Sequence, residues 1–210
     1  MNNNLNQISL TGMISEPVTY SHEIFGEKFF ETVLKIPRGN EKEDLIPVVV
    51  PDRVTDVTGL SENQIVSVRG QLRSYNHEDG DLHFLSHRVF AESVSAFSGK
   101  TVKFEDRVKL EGYVCTQPSY RITPGGKQIT GFLLAVNRLF DRADYISCIC
   151  WGRNAVYASG FETGAFLRVE GRLQSRGYRK VLPAGKVLKR KVYEVSVIRM
   201  RRQDLMDISA

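Results

Sequence analysis

Along most of this chain apolar and polar residues alternate with a period of two, the mark of half-buried β-strands. In the second half, the run DRVKLEGYVC places Val108, Leu110 and Tyr113 approximately on one face with charges on the other. QITGFLLAVN (128–137), YISCICW (145–151), AFLRVEGRLQS (165–175) and KVYEVSVIRM (191–200) read as four further strands, and the Gly in the first of these predicts a bend or bulge. GRNAVYASGF (152–161) breaks the alternation and predicts a short helix, closed by a turn at Glu-Thr-Gly. RGYRKVLPAGKVLKR (176–190) predicts a basic loop or flexible hairpin.

The first half repeats the plan. Strands are expected near 5–14, 28–37, 44–51, 64–74 and 82–94, with a short irregular segment, DRVTDVTGL, after the third. The correspondence extends to the residues. LTG (10–12) matches LEG (110–112), GEKFFETVLKIPR (26–38) matches GKQITGFLLAVNR (126–138), VSVRGQL (66–72) matches LRVEGRL (167–173), and FAESV (90–94) matches YEVSV (193–197). The offset stays between 100 and 103 and the order never changes, so the chain holds two copies of one fold. The expected organisation is a first domain over 1–96, a linker over 97–106, a second domain over 107–201 and a short tail over 202–210. Five short strands with a helix between the third and fourth is the layout of an OB-fold, a small Greek-key barrel. The expected class is therefore all-β with short helices: two tandem OB-folds. Gly12, Gly112, Gly70 and Gly171 fall where such a barrel must curve sharply.

Charge divides the copies. Residues 1–100 carry nine Lys and Arg against fourteen Asp and Glu, a net of −5; residues 101–210 carry twenty against ten, a net of +10. A half so basic points to a polyanionic partner, most simply nucleic acid. With three Cys and no basic-then-apolar leader, a reducing, cytoplasmic setting without disulfides is expected. No apolar run is long enough for a membrane helix, so no membrane role is expected.

Single-stranded nucleic acid is held by a cationic groove that follows the phosphates and by aromatic faces that stack the bases. The second copy supplies both. Phe140, Tyr145, Trp151 and Tyr178 fall in loops or at strand ends, among Arg138, Arg153, Arg172, Arg176, Arg179 and Lys180, with Lys189 and Arg190 in the following basic segment. Phe132, Phe161 and Phe166 are instead expected in the core.

The sequence GFLLAVNR…DYISCICWGRNAVYASGFETGAFLRVEGRLQSRGY…RKVYEVSV resembles the bacterial single-stranded DNA-binding protein family over most of residues 107–200. The resemblance implies base stacking on Phe140, Tyr145, Trp151 and Tyr178, with Arg138, Arg153, Arg172 and Arg176 at phosphates. It implies a role in DNA replication, recombination or repair, nucleoid association, a replication or repair protein as a further partner, and a homo-oligomer, here a dimer with four OB-folds. The same two devices would hold RNA, because neither reads the 2′-hydroxyl. The first copy departs from the pattern. Pro51 stands where Trp151 does, Leu45 where Tyr145 does, and Tyr178 aligns only loosely with Tyr75 or His77. It is expected to bind single strands weakly, through Tyr75 and Arg73 if at all. The ending RMRRQDLMDISA lacks the acidic tail that family members use to recruit enzymes. The alternative is a replication-restart accessory (PriB-like) in which the fold mainly docks other proteins.

No enzyme chemistry is legible. Cys115, Cys148 and Cys150 have no His near them in sequence, so no metal site is expected, and neither a cofactor nor a small-molecule substrate is implied. TPGGK (123–127) is too short for a phosphate loop and reads as a hairpin turn. An OB-fold nuclease would need clustered carboxylates that the second copy lacks.

Overall fold

In the computed structural model, residues 5–39, 41–79, 82–99, 101–139, 142–181 and 187–203 are described. The first repeat comprises β1 (Asn6–Ile14), β2 (Thr19–Ile24), β3 (Glu27–Pro37), β4 (Glu43–Pro51), β5 (Ile65–Asp79) and β6 (Leu82–Ala96), with a 3-10 turn at Val57–Gly59. The second comprises β7 (Glu105–Val114), β8 (Ser119–Ile122), β9 (Gln128–Asn137), β10 (Ala143–Trp151), α1 (Arg153–Ser159), β11 (Phe166–Val181) and β12 (Val187–Arg202).

Each repeat closes a barrel. In the first, β3 pairs with β1 and β4, β4 runs parallel to β6, and β5 joins β6 back to β1; β9, β10, β12, β11 and β7 repeat this circuit. These are two OB-folds. The short edge strands β2 and β8 were not anticipated. Of the two forms expected for the basic segment after Arg176, the described part takes the hairpin: β11 and β12 stay paired through Val181 and Val187. Glu105 and Asp106, read above with the linker, already belong to β7. The last strands also correspond at a larger offset than the sequence match implied. Val89 lies opposite Leu72, and Val195 opposite Leu173, so Val89 and Val195 are equivalent. The second repeat's hairpin is simply longer.

Inward-facing residues of both barrels form a continuous apolar core, from Ile8, Leu10, Leu34 and Leu72 to Leu110, Leu134, Leu167 and Leu173. Phe132, Phe161 and Phe166 are buried as expected, and so are Cys148 and Cys150. Burial pushes the Cys150 thiol up to about 12 and the Cys148 thiol higher than its ordinary range, so both stay protonated. Tyr113 leaves the Val108–Leu110 face and packs on Phe166, ring centroids 4.8 Å apart.

Of the four curvature glycines, Gly70 and Gly171 sit at bulges, whereas Gly12 and Gly112 lie in regular pairing. The register shifts between Arg69 and Gly70 and between Glu170 and Gly171. A Cβ on Gly70 would lie 2.0 Å from the Phe90 carbonyl oxygen, and one on Gly171 would lie 2.4 Å from that of Ser196. Backbone cannot yield there as a side-chain tip could. Gly171→Ala is therefore expected to cost about 1–3 kcal/mol in urea unfolding, whereas Gly177→Ala, with open space around it, should cost far less.

β1 and β7 pair antiparallel, Asn6 opposite Leu110 through Thr11 opposite Glu105, and fuse the barrels into one twelve-stranded sheet. Two buried carboxylates clasp this seam with pseudo-twofold symmetry. Asp44 accepts from the Ser175 amide at 2.7 Å, while Ser175 Oγ accepts from the Leu45 amide at 3.0 Å. Asp144 accepts from the Ser74 amide at 2.9 Å, while Ser74 Oγ accepts from the Tyr145 amide at 3.0 Å. Arg38 pairs with Asp44 at 3.2 Å; Arg73 and Arg138 both pair with Asp144, at 3.0 and 3.4 Å.

Candidate nucleic-acid interface

Cross-strand partners share a face of a sheet, so the outer face of the second barrel can be built row by row. Arg121, Ile129 and Trp151 form one row; Ser119, Gly131 and Ile149 the next; then Leu133 with Ser147, Ala135 with Tyr145, and Asn137 with Ala143. Trp151 and Tyr145 therefore lie on one face, six residues or roughly 20 Å apart. Their rings are 41% and 43% exposed, too open for core residues. Between them runs a groove of about 350 Å³, whose walls include Arg121, Arg176 and Glu194.

Local structure explains the aim of both aromatics. Trp151 ends β10, and Gly152 follows at φ 56, ψ −128, a conformation that only glycine adopts without strain. The chain there turns into α1 and leaves the indole at the groove's end. Tyr145 is fixed by its backbone from the first repeat. Its amide donates to Ser74 Oγ, and its carbonyl lies 3.0 Å from His87 Nε2. The same nitrogen lies 3.3 Å from the Ser147 amide. Burial holds the His87 imidazole below its usual range, in the neutral form.

Gly131 is regular strand rather than the bend expected above; it pairs squarely with Ile149. A Cβ added there would have only the Cys148 carbonyl within reach, at 3.9 Å. Its role is to leave the groove floor bare.

The basic residues divide. Arg153 is exposed and Arg172 half-exposed. Arg138 holds Asp144, and Arg176 Nε donates to Glu194 Oε1 at 3.1 Å, so each spends part of its guanidinium inside the protein. Tyr178 and Arg179 lie on β11 opposite Arg190 and Lys189, with Lys180 one position further, where the β11–β12 ribbon projects beyond the barrel; their side chains are outside the described residues. Phe140 is outside them too. Sequence reasoning passed over Arg121. Its signal was available only through the register of β8, a strand that the pattern did not reveal.

The matching face of the first barrel is filled. Glu31 occupies the place of Gly131, accepts from Ser21 Oγ at 2.7 Å and pairs with Arg88. His22 stacks flat on Phe29, centroids 4.8 Å apart, in the row that ends at Pro51. Arg88 lies over the Tyr75 ring at 5.6 Å, and Arg73 is drawn down to Asp144. Among the described residues, no three His, Cys, Asp or Glu side chains form a metal-binding group, and no helix is long and apolar enough to cross a membrane.

Comparison with known proteins agrees with this asymmetry. Residues 105–202 match the model of the single-strand binding protein family. Single-stranded DNA-binding protein A of Bacillus subtilis is 40% identical over 80 residues, 35% of this chain and 46% of that protein. Single-stranded DNA-binding protein 1 of Staphylococcus aureus is 40% identical over the same length, 48% of its own chain. The chain thus spans about half the length of the curated relatives it matches. A solved structure, wild-type single-stranded DNA binding protein from Thermus aquaticus, superposes with a TM-score of 0.77 over 97% of this chain and 95% of that one, at 22% identity, and so shares the two-barrel fold. The likeness to the single-strand binding protein family thus lies in the second barrel, residues 105–202, while the likeness in fold extends over both barrels.

Proposed function

We propose that this chain binds single-stranded DNA without regard to sequence, as a non-enzymatic binding protein, and protects it in replication, recombination or repair. The observation that carries this reading is the groove between Trp151 and Tyr145: two exposed aromatics on one face, a bare glycine floor between them and guanidinium groups at its walls. Aromatic faces take any base, and cationic walls take the backbone common to all. The relatives' names point the same way. Phe140 and Tyr178 would add stacking surfaces. Arg153, Arg172, Arg176, Arg179, Lys180, Lys189 and Arg190 would meet phosphates, with Arg138 shared between Asp144 and the strand. Self-association into a dimer of four barrels, nucleoid association and a protein partner in replication or repair belong to the same proposal. The first barrel serves the second by gripping the strand that bears Tyr145. The carboxylate of Glu31 in its own groove opposes phosphates.

The test is titration with dT oligomers, following fluorescence of Trp151, the sole Trp, at several salt concentrations with duplex DNA as control. Strong quenching by single strands and a steep loss with salt are expected. Trp151→Ala, read by anisotropy of labelled DNA, should weaken binding by about 1–3 kcal/mol. No quenching and no binding near physiological salt would overturn this reading in favour of a protein-docking module.

A further inference from the structure

We propose that the seam between the barrels carries a second phosphodiester site, a cleft into which a single strand passes as it leaves the groove at Tyr145. The cleft measures about 660 Å³ and lies where β1, β5 and β6 meet the β9–β10 connection. It is lined by Arg73, Arg138 and Arg142, by the amides of Gln7 and Gln71, and by one carboxylate, Glu92. Gln71 Nε2 donates to Glu92 Oε1 at 2.6 Å, which ties that charge to an amide. Beneath the cleft the buried Asp144 balances only one of the two guanidiniums that reach it, so Arg73 and Arg138 together keep a net positive charge. A guanidinium has five N–H donors in a planar fork, and each of these two directs one nitrogen at Asp144, leaving others for an anion. Arg142 is exposed at the rim.

The rows of the outer face supply the route. Asn137, opposite Ala143, adjoins the row that holds Tyr145, and it lines the cleft. The other end of the seam is built differently. Gln174 stands where Arg73 does and donates to Glu194 at 2.8 Å. Asp106 stands where Asn6 does, so that end holds two buried carboxylates, Asp44 and Asp106, instead of one. Of the two pseudo-symmetric ends, only the one beside Tyr145 combines two guanidiniums with a single buried acid.

The inference rests on the groove reading above, and the experiment separates the two. Arg142→Glu is made because Arg142 takes no part in the clasp at Asp144. Binding is measured by anisotropy for a dT oligomer of about 6 nucleotides, enough for one barrel's groove, and for one of about 20, within the range of one to several barrels. Arg142→Glu should weaken the longer oligomer about three- to tenfold and lower its salt slope by about 1, leaving the shorter unchanged. Lys42→Glu, at the matching turn of the first barrel, should change neither. An equal loss for both oligomers, or none for the longer, overturns the second site while the groove stands. Failure of the unmodified protein to bind the shorter oligomer overturns the groove and this site with it.

Discussion

Replacing Asp106 by Asn should make the protein more stable at pH 8 and leave it unchanged near pH 4. The expectation comes from the pseudo-symmetry of the seam. Asn6 makes two bonds across the gap between β1 and β5: its Nδ2 donates to the Leu72 carbonyl and its Oδ1 accepts from the Leu72 amide, both at 2.9 Å. Asp106 reproduces only the second. Its Oδ1 accepts from the Leu173 amide at 2.9 Å, while Oδ2 is buried without a partner. Burial, aggravated by the Asp44 carboxylate and partly offset by the Leu173 amide, Arg172 and Arg38, pushes the Asp106 carboxyl up to about 7. The protonated acid is the better fit, since its hydroxyl has the donor that Asn6 has. Because the folded-state value lies above the unfolded one of 3.8, the favourable form is complete below that value. Stability is then lost as pH rises through about 7. The full span is about 4 kcal/mol. Urea unfolding of the Asp106→Asn protein should show much of that recovered at pH 8, about 2–4 kcal/mol, and little difference at pH 4. A variant that is less stable at both pH values would contradict the account.

Asp144→Ala should cost about 3–5 kcal/mol, the penalty for leaving buried or half-buried charges without their partner. Asp144 is wholly buried and receives Arg73, Arg138 and the Ser74 amide. Its loss strands two guanidiniums and one amide at once, and it unfastens the backbone beside Tyr145. Unfolding should therefore begin at a lower urea concentration, and the surviving folded protein should bind single strands more weakly. Asp144→Asn keeps an acceptor for Ser74 but no countercharge, and should fall between. A loss below about 1 kcal/mol would show that water replaces the carboxylate at little cost, as it does for surface ion pairs.

The strands were legible because they are half-buried and alternate: the predicted runs at 28–37 and 44–51 lie within one residue of β3 and β4. β2 and β8 were not, since every residue in both is exposed and no apolar period marks them. The two aromatics that frame the groove were visible as a Trp before Gly and a Tyr among charges. The groove's other determinants were hidden by their kind. Arg121 reaches the face only through cross-strand register, and Gly131 matters for the side chain it lacks. The seam was hidden altogether. Asp44 and Asp144 look like ordinary charges at strand starts, and their serine partners lie 131 and 70 residues away. Asp106 sat in a stretch with no period, where nothing announced a buried carboxyl.

The covalent joining of the two barrels has an evolutionary corollary. In a twofold assembly of identical chains, each substitution arises at both ends of the interface together, so an anion cleft at one end must be an anion cleft at the other. Here the related positions are encoded separately. Asn6 and Asp106, Arg73 and Gln174, Glu31 and Gly131 are independent letters. One barrel can therefore fill its groove and serve as a fixed support, while its neighbour leaves the matching face open.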